Sequence, residues 1–207
     1  LGNVIVAGQT GSDVWVSGGG DVTRNGGSDA FVAKLSAAGN HIWSTYIGGA
    51  GTEVGYTVAI DSSDNVLTGG YTSSTGWVSG GWDTTINGGN DGFVVKLSGA
   101  AGVQAWSTYA GGAGNDSLRS IVLDSVDNVI AVGLTPSASA GWVSGGWDTT
   151  LDGAQDGFLL KLDGGGGHLW STYVGGTGSD YCFGVAVDGL DNIYAAGPTD
   201  TGDWTSG

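Results

Sequence analysis

The sequence is poor in several residue types, and each shortage narrows what it can do. Its 207 residues include one Cys, two Pro, no Met, and five Lys or Arg against 20 Asp or Glu. A single Cys, Cys182, rules out an internal disulfide. A formal charge of −15 argues against nucleic acid or an anionic membrane surface as partner, because both are recognised by basic patches. No apolar run approaches the length of a membrane-spanning helix, so membrane insertion is not expected. No stretch carries the 3.6-residue apolar period of an amphipathic helix. The chain opens in mid-pattern at Leu1-Gly2-Asn3-Val4, as a piece of a longer protein would. An acidic, Lys-poor composition rich in Gly, Ser, Thr and Trp suits an extracellular or cell-surface protein.

Glycine, with 44 residues, and tryptophan, with nine, are abundant, and both recur at set places. The phrase Trp77-Val78-Ser79-Gly80-Gly81-Trp82-Asp83-Thr84-Thr85 returns almost unchanged from Trp142 to Thr150, and more loosely from Trp15 to Thr23, where Gly20 stands for the second Trp. Trp-Ser-Thr-Tyr begins at Trp43, Trp106 and Trp170. A fixed period of about 63 residues marks a repeat architecture, with repeats at roughly 1–63, 64–126 and 127–190 and a partial one at 191–207. The set positions assign the glycines to turns and close backbone approaches rather than to a flexible linker.

Within each repeat the β-branched and aromatic runs read as four short strands. The first type is Asn3 to Gly8, with copies beginning at Asn65, Asn128 and Asn192. The second is Asp29 to Leu35, Asp91 to Leu97 and Asp156 to Leu162; the third holds Trp-Ser-Thr-Tyr; the fourth is Val54 to Ile60, Leu118 to Leu123 and Phe183 to Val187. Three connections are tight, and one is long and carries Trp. The expected fold is therefore all-β: tandem four-stranded antiparallel blades of a β-propeller, about three and a third of them. A ring takes about four to eight blades, so the array is expected to be closed or continued by another chain or by sequence beyond this stretch.

The run Asp-Gly/Ala-Phe-Val-x-Lys-Leu, then Gly-x-x-x-Trp-Ser-Thr-Tyr-x-Gly-Gly-x-Gly, then Ala-x-Asp-x-x-Asn-x-x-x-x-Gly resembles the bacterial SBBP β-propeller repeat. The resemblance implies a large secreted or cell-surface protein whose repeats have no known catalytic activity. One departure is that Trp77-Val78 and Trp142-Val143 stand where that family usually has an aromatic residue followed by Pro.

Several constellations are candidates for binding. Calcium takes six to eight oxygens, and Asp148, Asp152 and Asp156, with Asp83, Asn87 and Asp91 in the neighbouring copy, present acids and an amide on Gly-kinked loops; the competing reading is that they cap turns by bonding their own backbone. No cofactor is expected, with calcium as the one candidate. Gly111 to Leu118 imitates a calcium-binding nonapeptide, but its copies lie a whole repeat apart and cannot stack, so it reads as a turn. Trp15, Trp77, Trp82, Trp142, Trp147 and the truncated copy at Trp204 lie on the long connections near Asp and Asn. They would serve as a lid on the blade, as a partner interface, or as stacking faces for glycans. Lys34, Lys96 and Lys161 are all the lysines there are; with Asp61, Asp124 and Asp188 they suggest one ion pair per blade, against a plain solvated strand face. Asn192, Ile193, Tyr194, Ala195 and Ala196 form a fourth copy of the first strand and are the expected assembly element. Asn115-Asp116-Ser117 is a glycosylation sequon.

Catalysis is not expected. The acids recur once per repeat, as scaffold residues do. His41 and His168 align with Gln104, which argues against zinc, and no Ser-His-Asp arrangement is visible. The expected function is a non-catalytic extracellular structural or interaction module that self-assembles or binds partners through its repeated blades; the alternative is a lectin-like propeller using the Trp loops.

Overall fold

A computed structural model describes residues 2–136 and 141–200. Thirteen strands and no helices occur among them. In chain order they are β1 (Val4–Thr10), β2 (Asp29–Leu35), β3 (His41–Ile47), β4 (Glu53–Ile60), β5 (Val66–Thr72), β6 (Asp91–Leu97), β7 (Gln104–Ala110), β8 (Ser117–Leu123), β9 (Val129–Thr135), β10 (Asp156–Leu162), β11 (His168–Val174), β12 (Gly184–Val187) and β13 (Ile193–Ala196).

The strands form four antiparallel sheets: β1-β2-β3, β4-β5-β6-β7, β8-β9-β10-β11 and β12-β13. Two blades are complete and two are partial. A blade begins with the fourth strand type and ends with the third, so each sheet starts one strand earlier than the sequence repeat. Registers recur between blades. Val66 pairs with Leu97 as Val4 pairs with Leu35, and the second-to-third ladder slips at Lys34/Leu35, Lys96/Leu97 and Lys161/Leu162 alike. Such a bulge bends and twists the strand at the same place in each copy.

Blades pack face to face, and the core lies between them. Ala30, Val32, Trp43 and Ile47 of the first sheet meet Val66, Phe93, Val95 and Leu97 of the second. Trp106, Leu67 and Val94 of the second sheet meet Leu118, Val129, Phe158 and Leu160 of the third. Cys182 joins the third such layer, with Ile130, Val132 and Leu159; burial pushes its thiol up to about 11, with Asp180 adding to the shift. The strand interiors read as near-continuous apolar runs because both faces of each middle blade are covered. At the turns joining the fourth strand type to the first, Asp64, Asp127 and Asp191 take φ of 63–64°, a left-handed conformation that Asp tolerates better than most residues.

Candidate functional site

Each blade is fastened to the next by the same few contacts, and these contacts contain many of the residues singled out above. Trp43 Nε1 donates to the Gly99 carbonyl at 3.1 Å, and Trp106 Nε1 to the Gly164 carbonyl at 3.1 Å. The covering turn presents Gly102 to Trp43 and Gly166 to Trp106, at φ of 59° and 86°. The long connection continues the clasp. The Trp82 amide donates to the Gly166 carbonyl at 3.0 Å, and its ring stacks on His168 with centroids 4.3 Å apart and planes 26° from parallel. Burial lowers the His168 pKa. Gly20 takes the place of Trp82 one blade earlier, its amide donating to the Gly102 carbonyl at 3.2 Å.

Three further Trp side chains fold back on their own blades. Trp15 meets Phe31 and Tyr46, Trp77 meets Phe93 and Tyr109, and Trp142 meets Phe158 and Tyr173, each edge to face with the nearer centroids 4.9–5.4 Å apart. Trp142 is buried, Trp77 is half-buried, and Trp15 stays more open. Trp147 differs from all of these, being 76% exposed. Trp204 lies outside the described residues. Trp82, Asp83, Asn87 and Trp142 are brought together on one cleft of about 510 Å³ between two long connections.

The loop acids turn toward their own backbone. Asp83 accepts from the Thr85 amide and the Asn87 side chain, both at 2.9 Å, and Asp91 accepts from the Asn87 amide at 2.9 Å. In the next copy Asp148 accepts from the Thr150 amide at 2.9 Å, and Asp156 from the Asp152 amide at 3.3 Å. Among the described residues no group of three or more His, Cys, Asp or Glu is arranged to hold a metal.

Two buried carboxylate pairs are not legible in the sequence. Asp91 approaches Asp116, and Asp156 approaches Asp180, in each case across the turn leading into the next blade. Burial, reinforced by the neighbouring acid against the pull of backbone amides, raises Asp91 and Asp156 to about 6. The members of each pair sit about 25 residues apart on different elements, one opening a strand and one in a glycine turn, so no spacing announces them. Another missed feature is the stack of Arg119 over Tyr56, 4.5 Å from guanidinium carbon to ring centre, with Phe183 at 6.0 Å on the following blade.

The lysines pair with acids. Lys96 meets Asp61 at 2.9 Å and Lys161 meets Asp124 at 2.8 Å, each within one blade. Lys34 departs from the pattern and reaches Asp64 of the next blade at 2.5 Å. Asp188, the third acid of the series, instead accepts from Asn192 at 2.8 Å and the Tyr194 hydroxyl at 3.0 Å. Asn192, Ile193, Tyr194, Ala195 and Ala196 pair on one side with β12 and are mostly exposed.

This is the arrangement of a β-propeller built from successive four-stranded blades, here with an unclosed array. The SBBP family, described as a beta-propeller repeat, matches residues 42–76 and 169–203, so these two segments are similar to SBBP β-propeller repeats. No curated protein matches the chain.

Proposed function

We propose that the chain is a non-catalytic structural and interaction module of an extracellular or cell-surface protein, and that it works by self-association through its incomplete blades. One observation carries this reading. Among the described residues, two complete four-stranded sheets are flanked by a three-stranded and a two-stranded one, and β1 and β13 each present a strand edge with no partner strand. Unpaired edges are templates for another chain, and stacked repeats need capping faces. On β1, Val4 and Val6 lie exposed beside that edge. Catalysis has little support, because the acids and aromatics recur as contacts within and between blades. Measuring the solution mass by light scattering over a range of concentrations tests the reading: a mass above 20.5 kDa that grows with concentration supports it, and a monomer throughout would overturn it.

A second reading, glycan binding, rests on the cleft where Trp82 and Trp142 stand beside Asp83 and Asn87, and on the open ring of Trp147. Aromatic faces beside acceptors suit sugar rings. Titrating sugars against tryptophan fluorescence checks it; no change with any sugar class removes it.

A further inference from the structure

The fasteners between blades come as matched halves, and the two ends of the array display the unmatched halves of the same set. Trp82 stacks on His168 across one junction, while across the previous one Gly20 faces the turn ending at Gln104. Trp goes with His and Gly with Gln. At the last blade Trp147 stands exposed, and at the first blade the aligned residue is His41, also exposed. Likewise Gly102 lies against Trp43 and Gly166 against Trp106, whereas nothing lies within 4 Å of a Cβ on Gly39, and Trp170 is less buried than its two counterparts.

The strand ends show the same complementarity. In both complete blades the acid ending the first strand pairs with the Lys of the third: Asp61 with Lys96, Asp124 with Lys161. Among the described residues, Asp188 follows β12 in a sheet with no third strand, and Lys34 lies in a sheet with no strand beyond β1. Between blades, Ser62 donates through its amide and hydroxyl to Asp127, and Ser125 to Asp191. Asp64 is the first of that series; its carboxylate holds Lys34 instead, and Gly189 aligns with the two serines.

We infer that a second copy of this chain joins head to tail, β12 of one copy lying along the free edge of β1 in the other in place of β13. Trp147 then stacks on His41, Gly39 covers Trp170, and Asp188 meets Lys34 across the joint. This inference rests on the self-association proposed above and names its register. Following the β4–β5 ladder, Val187 comes opposite Val4 and Val185 opposite Val6. The exchange of β13 for β1 is physically reasonable. The β12–β13 ladder has four residue pairs in a sheet of two strands, which packs on the third blade through Val185, Val187 and Ile193, whereas β1 is held by seven pairs to a sheet of three strands. Asn3, just before β1, occupies the place from which Asn65, Asn128 and Asn192 each donate to the turn Asp, so it can take over Asp188. A copy then supplies two complete blades and one shared blade. Two copies close six, within the usual range of about four to eight, whereas three copies would exceed it.

Sedimentation velocity on four samples tests this: the chain itself, Asp188→Lys, Lys34→Asp, and an equimolar mixture of those two variants, each checked for folding by its thermal melt. The expected result is a wild-type dimer, a loss of at least about tenfold in association for each variant alone, and recovery in the mixture, where both joints again bring opposite charges together. Trp147→Ala, an exposed change that leaves folding intact, is expected to weaken the dimer as well, and it carries the test with Asp188→Lys if Lys34→Asp fails to fold. Wild-type association left intact by Asp188→Lys and Trp147→Ala would overturn this joint while leaving self-association standing. A wild-type monomer at every concentration would remove both.

Discussion

Gly102 lies directly against the indole of Trp43: a Cβ built on it would meet the ring at 2.6 Å, and its φ of 59° is one that L side chains rarely adopt. Gly166 repeats the relationship with Trp106, at 2.8 Å and 86°. These contacts set how closely one blade approaches the next.

Gly102→Ala should therefore be among the most damaging single-methyl changes in the chain. Strain and overpacking together cost about 2–5 kcal/mol. Gly39→Ala meets no neighbour and incurs only backbone strain, about 1 kcal/mol. Denaturant unfolding of both variants at low concentration checks the contrast; equal losses would mean the Trp contact contributes nothing.

Trp82 and Trp147 occupy the same place in successive repeats but differ in surroundings. Trp82→Ala loses the stack on His168 and should cost about 1–2 kcal/mol in a dilute sample. Trp147→Ala should stay within about 0.5 kcal/mol there, since the ring is exposed. Thermal melts at concentrations too low for association provide the comparison.

Asp61 and Lys96 are both largely removed from water. Burial disfavours the Asp61 carboxylate, but Lys96 and Asn65 outweigh this and lower its pKa. Asp61→Asn leaves the ammonium without its counter-charge and should cost about 3–5 kcal/mol, as breaking one half of a buried pair does. The exposed Arg24–Asp13 pair should be far less sensitive, with Asp13→Asn barely shifting the melting temperature. Similar losses for the two changes would contradict the burial argument.

Stability should rise on mild acidification. Asp91 and Asp156 are raised to about 6, so between roughly pH 4 and 6 the folded state binds more protons than the unfolded one. Their stabilising effect is full below the unfolded value of 3.8 and is lost as pH rises through about 6. Asp61 and Asp124 act in the opposite sense. Their pKa values are lowered, Asp124 to about 2, so their contribution is present above 3.8 and disappears as pH falls toward 2. The melting temperature should climb from pH 7 to about pH 4.5 and collapse below pH 3. Asp91→Asn together with Asp156→Asn should flatten the climb and leave the acid collapse in place.

The fold was largely legible because each strand type is written at least three times, with β-branched runs closed by Gly and a Trp or Phe at a fixed place. The point at which a sheet begins was not, since a periodic sequence does not mark which strand opens a blade. Lys96–Asp61 and Lys161–Asp124 could be anticipated from recurrence alone. Lys34–Asp64 could not, because it arises where the first sheet has no strand bearing the matching acid. The role of Trp82 was hidden for a related reason: its partner His168 lies on the next blade, and His41 and Gln104 at the aligned positions made the imidazole look incidental. The alternation of Trp–His with Gly–Gln has meaning only once blades are seen to touch.

Hydrogen exchange on β1 and β13 tests the completion of one copy by another most directly. At low concentration the β1 amides pointing away from β2 should exchange quickly, while β13 is protected by β12. As concentration rises, protection should pass to Val4–Thr10 and leave Ile193–Ala196. An exchange pattern on both strands that does not change with concentration would contradict the account.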